Sequence, residues 1–166
     1  MAEEARNAEP SDVARVWRLM KMIKVCMLAS HDGEKIRSRP MAAHPREDAN
    51  LIFFLTDVRS HKDEELAHDD TVCLSFAKPG EGKFLVVTGR AAIVDDRALI
   101  GDLWDNEAAP FWQGPEDPNV RVICVTPEDA QFWEGPHGFA ATVAMVIAAA
   151  TAGPPVLGDQ RKVDMH

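Results

Sequence analysis

The sequence predicts a mainly β fold with a few added helices, arranged as a small barrel of six or seven strands. Short apolar runs recur along the 166 residues and are separated by turn-forming residues, which is typical of a compact antiparallel β protein. The chain shows no alternation of strands and helices with a Gly-x-Gly-x-x-Gly loop, which disfavours a dinucleotide-binding parallel sheet. It also shows neither an internal repeat nor a second domain.

The first predicted element is a helix with one apolar face. Pro10 and Ser11 are a helix start with Ser11 as the N-cap, and apolar residues then follow at helical spacing up to residue 23. Residues 24–30 and 35–43 are predicted to be paired strands, because the Asp32-Gly33 step between them is a hairpin turn signal. Pro40 has no N–H to donate to a ladder, which places its strand at a sheet edge or a bulge.

The rest of the chain is predicted to contain further strands and three helices. The strands are residues 50–56, 71–77, 84–94 and 120–126, with a short seventh strand at 131–133. Gly89 predicts a bulge or a close backbone approach within the fifth strand. The helices are residues 60–69, a helix capped by Asp95 or Asp96 that reaches about residue 104, and the Ala-rich segment 139–152. Residues 153–166 are predicted to be a polar tail or arm.

Length, charge and cysteine usage limit the classes of function. We expect one domain at residues 11–152, after a flexible N-terminus at residues 1–10. The formal net charge of −9 disfavours nucleic-acid binding and attraction to an anionic membrane. The longest apolar stretch is shorter than the roughly 20 residues that a membrane span requires. Three isolated cysteines and a polar, acidic start without signal-peptide features predict a cytoplasmic protein with reduced thiols.

The sequence offers no metal motif and no nucleophile motif. Its six histidines lack metal-binding spacing, and neither a P-loop nor a Gly-x-Ser-x-Gly elbow is present. We therefore expect no metal site and name no general acid or base. Trp104 and Trp112 are candidates to line a ligand pocket, although packing explains aromatic residues equally well. Trp17 and Trp133 are predicted to lie in the core.

The segment Arg59-Ser60-His61-Lys62-Asp63 is the most informative in the chain. Ser60 is a good helix N-cap, but cationic side chains at a helix N-terminus are disfavoured by the helix dipole. A bound anion would compensate, because helix N–H groups, a Ser hydroxyl and a Lys ammonium together form a phosphate cradle. Arg37 and Arg39 share one face of the second strand and could supply a guanidinium. The alternative is that these residues are solvated surface charge.

Several segments together resemble the pyridoxamine 5′-phosphate oxidase-like FMN-binding split barrels, and more narrowly their general stress protein branch. The segments that carry the resemblance are Arg37-Ser38-Arg39-Pro40-Met41, Phe53-Phe54-Leu55-Thr56, Ser60-His61-Lys62, residues 72–76, Gly89-Arg90-Ala91, Gly114-Pro115-Glu116-Asp117-Pro118 and Gln131-Phe132-Trp133-Glu134. Their order and spacing extend over about residues 11–163, through the ending Gly158-Asp159-Gln160-Arg161-Lys162-Val163. The resemblance therefore implies a split β-barrel with an N-terminal and a C-terminal helix.

The resemblance also implies a set of FMN-binding residues at a two-fold interface of a homodimer. These residues are Arg39, Pro40 and Met41 on one strand, Phe54, Leu55 and Thr56 on another, Ser60, His61 and Lys62 at the phosphate, and Phe84 near the flavin. Arg37 is a weaker phosphate candidate. His61 stands where the oxidases have Arg, and Phe84 stands where they have a Gln that reaches the flavin.

Four functions follow from these expectations. The first is an FMN-dependent oxidoreductase, in which the protein orients a flavin that does the redox chemistry. The second is a non-catalytic flavin-binding stress-response protein. A true pyridoxamine phosphate oxidase is disfavoured, because the C-terminal Trp and Arg segment of those enzymes has no clear match here. The fourth is a related barrel that holds FAD, a deazaflavin or haem. Neither the substrate nor the electron donor is indicated.

Overall fold

The computed structural model describes residues 10–60, 66–105, 108–135, 145, 147–151 and 159–166. Two helices, α1 (Pro10–Ile23) and α2 (Arg97–Leu103), accompany eight strands. The strands are β1 (Val25–His31), β2 (Ile36–Ala42), β3 (His44–Arg46), β4 (Leu51–Asp57), β5 (Thr71–Lys78), β6 (Lys83–Val94), β7 (Val120–Glu134) and β8 (Asp159–Asp164). The prediction of a mainly β protein with added helices is therefore confirmed.

The strands form one antiparallel sheet that curls into a barrel with an opening. Its order is β2-β1-β5-β6-β7-β4-β3, and β8 pairs with β7. The end strand β2 contacts β4 across the sheet, which brings the two ends together. Because β3 pairs only with Leu51–Phe53, the edge of β4 beyond Phe53 has no strand partner within the described residues. We call the gap between the free edge of β2 and this part of β4 the opening of the barrel.

The barrel interior is filled by inward-facing side chains and closed by α1. Phe54, Phe76 and Phe132 are fully buried in this core, and α1 contributes Val16, Trp17, Leu19 and Met20, as its helical periodicity predicted. A second cluster on the other side of β4 and β7 joins Phe53 to Ile100 and Leu103 of α2. The two clusters fix β4 from both faces, so the strand that leads to Ser60 is rigidly placed.

Gly89 forms the bulge that its position predicted. The register between β6 and β7 shifts at Thr88 and Gly89, and a Cβ on Gly89 would lie 2.3 Å from the carbonyl oxygen of Thr126. Strands predicted separately at 120–126 and 131–133 are in fact one strand of 15 residues, β7. Pro127 has no amide to donate, and it lies opposite the bulge, where the ladder is already interrupted.

The predicted C-terminal tail was only partly right. Residues Asp159–Asp164 form β8, which pairs with Asp129–Glu134 of β7 and buries Val163. The short strand β3 was also missed. Helix α1 begins at Pro10, so Ser11 lies inside the first turn and is not the N-cap. Asp96 does cap α2, and its carboxylate accepts a hydrogen bond from the Leu99 amide at 3.0 Å.

Two predicted helices fall partly outside the described residues. In the segment predicted at 60–69, Val58–Ser60 form a 3-10 turn and residues 66–68 are helical, whereas residues 61–65 are outside the described part of the chain. In the segment predicted at 139–152, residue 145 and residues 147–151 are helical. The N-terminus predicted at 1–10 is likewise outside, except for Pro10. No described helix is long and apolar enough to cross a membrane.

Candidate functional site

In the hairpin of β1 and β2, the two candidate arginines have different partners. Its turn is the predicted Asp-Gly step, with Gly33 at φ 97° and the Asp32 carboxylate accepting from the Glu34 and Lys35 amides. Asp32 also pairs with the exposed Arg37 at 2.7 Å, and these hydrogen bonds hold the pKa of its carboxyl well below the usual range. Arg37 is therefore engaged by the turn on which it lies.

Arg39 lies on the same face of β2 as Arg37, as predicted, but deeper, at the inner wall of the barrel. It pairs across the strands with Leu28, which is buried, and both Nη atoms donate to the hydroxyl oxygen of Ser30 at 3.2 Å. Ser30 is itself 3% exposed. Met41 is on the same face and packs against the core, whereas Pro40 points outward opposite Met27. The three predicted residues therefore lie on two faces of the strand. Arg39 and Met41 face the interior of the barrel, and Pro40 faces outward.

The predicted residues of β4 present their backbone to the opening. Phe54 and Thr56 face the interior and are 0% and 2% exposed, and Leu55 packs in the second cluster. Their side chains are therefore parts of the fold. The strand edge over Phe54 and Leu55, by contrast, has no ladder partner within the described residues. A strand edge of this kind offers amide donors and carbonyl acceptors to a planar ligand that enters the opening.

The turn after β4 is held by Asp57. Its carboxylate accepts from the Arg59 amide and from Nε and Nη2 of the Arg59 side chain, at 2.6–2.9 Å. It also accepts from the indole N–H of Trp112 at 3.1 Å. The bonds from Arg59 above all hold the pKa of Asp57 well below its ordinary range. The Ser60 hydroxyl donates to the Asp57 carbonyl at 2.6 Å, so the turn fixes an exposed serine directly after the opening.

His61, Lys62 and Asp63 lie outside the described residues. Their predicted contribution to a phosphate cradle therefore stays a prediction.

Phe84 lies on the outer face of the sheet, opposite to the face that carries Arg39. Its cross-strand partners are Ala77 on β5 and Trp133 on β7, and it is 40% exposed. Within one chain, Phe84 and Arg39 therefore lie on opposite faces of the sheet. Phe84 shares the outer face with other exposed apolar side chains, namely Val25, Met27 and Ile36. Trp133 is half-buried on this face and does not lie in the core cluster as predicted.

Two cavities flank the turn between β4 and residue 60. The first, of about 500 Å³, is lined by Leu66, Ala67, the end of β6 and Arg121. The second, of about 460 Å³, lies between Arg59 and the loop of residues 109–119. Arg121 was not predicted from the sequence. It pairs with the inward-facing Thr56 across β4 and β7, and only that long-range register reveals its position.

The aromatic residues of the loop after α2 form a chain of ring contacts. Trp104 packs against the second cluster, and its ring centre lies 6.3 Å from that of Trp112. Trp112 contacts Phe111 in turn, at 5.9 Å between ring centres. Trp112 lines the second cavity, as does Phe111, which is 72% exposed. Trp104 is thus a packing residue, whereas Trp112 is both a cavity wall and a hydrogen-bond donor to the turn.

The thiols and acidic groups do not form a metal site among the described residues. All three cysteines are free, and burial raises the pKa of the Cys26 thiol to about 12. A thiol with such a pKa is protonated at neutral pH and is a poor nucleophile. Cys26 is therefore a residue of the core and not a candidate nucleophile.

A mainly β barrel open between β2 and β4, with a cation at the inner wall and a fixed serine beyond it, defines a class of ligand-binding barrels. The family model described as "Pyridoxamine 5′-phosphate oxidase like" matches residues 11–155. The chain belongs to this family, and the resemblance noted from the sequence is confirmed.

Relatives with known sequences include a fungal and a bacterial protein. The chain is 30% identical to protein bli-3 of Neurospora crassa over 147 residues, which cover 80% of this chain and 69% of that protein. It is 28% identical to general stress protein 26 of Bacillus subtilis over 109 residues, which cover 64% of this chain and 76% of that protein. The general stress protein branch of the resemblance is thus supported as well.

Solved structures identify the fold as the split barrel. A general stress FMN/FAD binding protein from Xanthomonas citri superposes with a TM-score of 0.64 at 25% identity, covering 72% of this chain and 86% of that one. A pyridoxamine 5′-phosphate oxidase-related, FMN binding protein from Nostoc punctiforme superposes with a TM-score of 0.63 at 16% identity, covering 94% and 90%. At that lower identity the likeness shows the fold alone.

Proposed function

We propose that this protein binds FMN in the opening between β2 and β4 and acts as a flavin-dependent oxidoreductase. The observation that carries the proposal is the pairing of a free strand edge at Phe54 and Leu55 with the inward guanidinium of Arg39 and the fixed hydroxyl of Ser60. A flavin has an edge of alternating donors and acceptors and a phosphate tail. Both halves of this ligand therefore find complementary groups. The family and the FMN/FAD binding relative from Xanthomonas citri support the same ligand.

The roles of the residues follow from their positions. The backbone of Phe54, Leu55 and Thr56 hydrogen-bonds the ring edge, and Pro40 and Met41 flank the ring. Arg39, Ser60, His61 and Lys62 hold the phosphate, because a charge-assisted hydrogen bond is about twice as strong as a neutral one. When bound, the flavin supplies the redox chemistry. The protein holds the ring in place and limits the access of water.

The active form in this proposal is a homodimer with a flavin at each side of the two-fold interface. Phe84 lies on the outer face with Val25, Met27 and Ile36, which are large apolar side chains between 40% and 73% exposed. Exposed apolar side chains on one face of a sheet are typical of a protein–protein interface. A second copy that covers the face would bring its Phe84 toward the opening of the first. The proposal also places the protein in the cytoplasm.

A second candidate is a flavin-binding stress-response protein without turnover. The similarity to general stress protein 26 favours it. In this role Arg39, Ser60 and Thr56 would bind and orient the flavin.

The test is a flavin titration followed by a turnover assay. Purified protein stripped of flavin is titrated with FMN and with riboflavin, with binding followed by quenching of flavin fluorescence. We expect saturable FMN binding in the micromolar range or below and much weaker riboflavin binding. Folded protein that leaves FMN fluorescence unchanged would overturn the proposal. If FMN binds but is not reduced by NADH, NADPH or other electron donors, the second candidate replaces the first.

A further inference from the structure

We infer that the second cavity is a subsite for the adenosine half of FAD, so that this protein prefers FAD to FMN. The inference rests on the proposed flavin site and names the part of the ligand that extends beyond it. It starts from the position of the cavity. Arg59 lines the cavity and Ser60, the next residue, is the predicted phosphate contact. The two are fixed to one another, because both bond to Asp57.

The turn and the loop that form the cavity are tied together. The Val58 amide donates to the carbonyl of Asn119 at 2.8 Å, and the Trp112 indole N–H donates to the Asp57 carboxylate. The Asp117 carboxylate accepts from the amides of Asn119 and Gln113, which closes the far side of the loop. The cavity is therefore a built feature, and its lining residue Arg59 is the direct chain neighbour of Ser60.

The lining of the cavity fits an adenine nucleotide. Phe111 is 72% exposed and leans on Trp112, so a large aromatic face is available for stacking a base. Gln113 and Asn119, whose side chains are amides, also line the cavity. Such amides can bond both the amino group and the ring nitrogen N7 of adenine.

The charge of the cavity matches a base better than an anion. Arg59 is largely neutralised by Asp57, and Asp117 adds a carboxylate whose pKa its hydrogen bonds hold below the usual value. A free phosphate would therefore gain little binding energy in this cavity. An adenosine attached to a phosphate that is already held at Ser60 brings a neutral base and an amino group that donates hydrogen bonds.

The experiment compares the dissociation constants of FAD, FMN and riboflavin for the full chain and three variants. The wild type is expected to bind FAD at least about fivefold more tightly than FMN, and Phe111→Ala to lose about tenfold in FAD affinity, in line with the loss of one stacked base. FMN affinity should change less than twofold. Phe111→Trp should retain the FAD preference. Met22→Ala removes another exposed apolar side chain, 38% exposed on α1 and outside the cavity, and serves as the control.

The outcomes separate this inference from the proposed function. A wild type that binds FMN but binds FAD no more tightly overturns the inference alone. Equal losses of FMN and FAD in Phe111→Ala would make Phe111 a structural residue and also overturn it. So would a Phe111→Ala variant with an altered dimerisation constant and unaltered FAD affinity, because a second copy would then cover this surface. A wild type that binds neither flavin overturns both proposals.

Discussion

The inner and outer faces of the sheet formed by β2, β1, β5 and β6 are built from the same strands but have different surroundings. On β1, Leu28 points inward and is 1% exposed, whereas its neighbour Met27 points outward and is 42% exposed. Arg39 lies inside beside Ser30, and large apolar residues lie outside. The inner face is otherwise apolar, and exposed apolar side chains grouped on an outer face are typical of an interaction surface. The difference indicates that the inner face is complete within one chain except at the opening, while the outer face needs a partner.

The largest effect is expected from truncation on the inner face. Leu28→Ala should lower the free energy of unfolding by about 2–5 kcal/mol, because it leaves a cavity in a packed core. The matched control is Met27→Ala, which should change the stability of the monomer by less than about 1 kcal/mol. Urea unfolding at low protein concentration measures both. Similar losses for the two variants would show that one chain buries both faces.

A charge on the outer face should break the proposed dimer. Met27→Asp would place an unpaired carboxylate in the interface, and we expect the dimer dissociation constant to rise at least about 30-fold, the effect of a hot-spot residue. Sedimentation velocity over a range of concentrations measures the change. If the wild type stayed monomeric even at about 100 times the protein concentration used for Met27→Asp, the result would contradict the proposed interface and the role of Phe84 in it.

The two arginines of β2 should differ in their effect on flavin binding. Arg39→Ala is expected to weaken FMN binding by about 1.5–3 kcal/mol, the range for a hydrogen bond to a charged group. The affinity for riboflavin should stay constant, since it lacks the phosphate. Arg37→Ala is the control, because Arg37 pairs with Asp32 and should leave FMN affinity unchanged. If Arg39→Ala weakened riboflavin to the same extent, Arg39 would be a structural residue bound to Ser30.

The smallest effect is expected at Asp57 and should depend on pH. Its pKa is lowered in the folded state from an ordinary 3.8, so the ionised carboxylate stabilises the fold above about pH 4. That contribution is lost as the pH falls through the lowered pKa. Asp57→Asn should therefore reduce the melting temperature by a few degrees at pH 7, since surface pairs contribute little. The difference from wild type should shrink below pH 3. A constant difference would point to lost packing of Trp112 instead.

Most secondary-structure elements could be predicted from local sequence signals, but those that depend on long-range strand pairing could not. Turn residues such as Asp32-Gly33, the glycine of the bulge and the periodicity of α1 reflect nearby chain geometry, and each identified its element. The prediction of two separate strands at 120–126 and 131–133 was wrong. Pro127 lies between them, but opposite the bulge, where a proline is tolerated. Strand β8 was missed because its polar sequence is typical of a tail, and only pairing with β7, some 30 residues earlier, makes it a strand.

The candidate site was predicted in outline, and its details depend on tertiary contacts. Residue types marked Arg37, Arg39 and Ser60, yet only the side-chain contacts show that Arg37 is held by Asp32 of the hairpin turn and Arg39 by Ser30 at the inner wall. Asp57 looked like a simple turn former. The indole N–H of Trp112, 55 residues away, makes it the junction between the turn and the second cavity. Composition carries no information on such a distant bond.

The late position of β8 in the chain affects how the protein completes its sheet during synthesis. Until residues 159–164 leave the ribosome, the second half of β7 has one free edge, which runs along Asp129–Glu134 and displays unpaired backbone amides. Free edges of this kind pair with other chains, so a nascent or truncated chain would be prone to aggregation. The Met165 amide donates to the Glu128 carbonyl at 3.1 Å and so extends the pairing between β8 and β7 by one hydrogen bond.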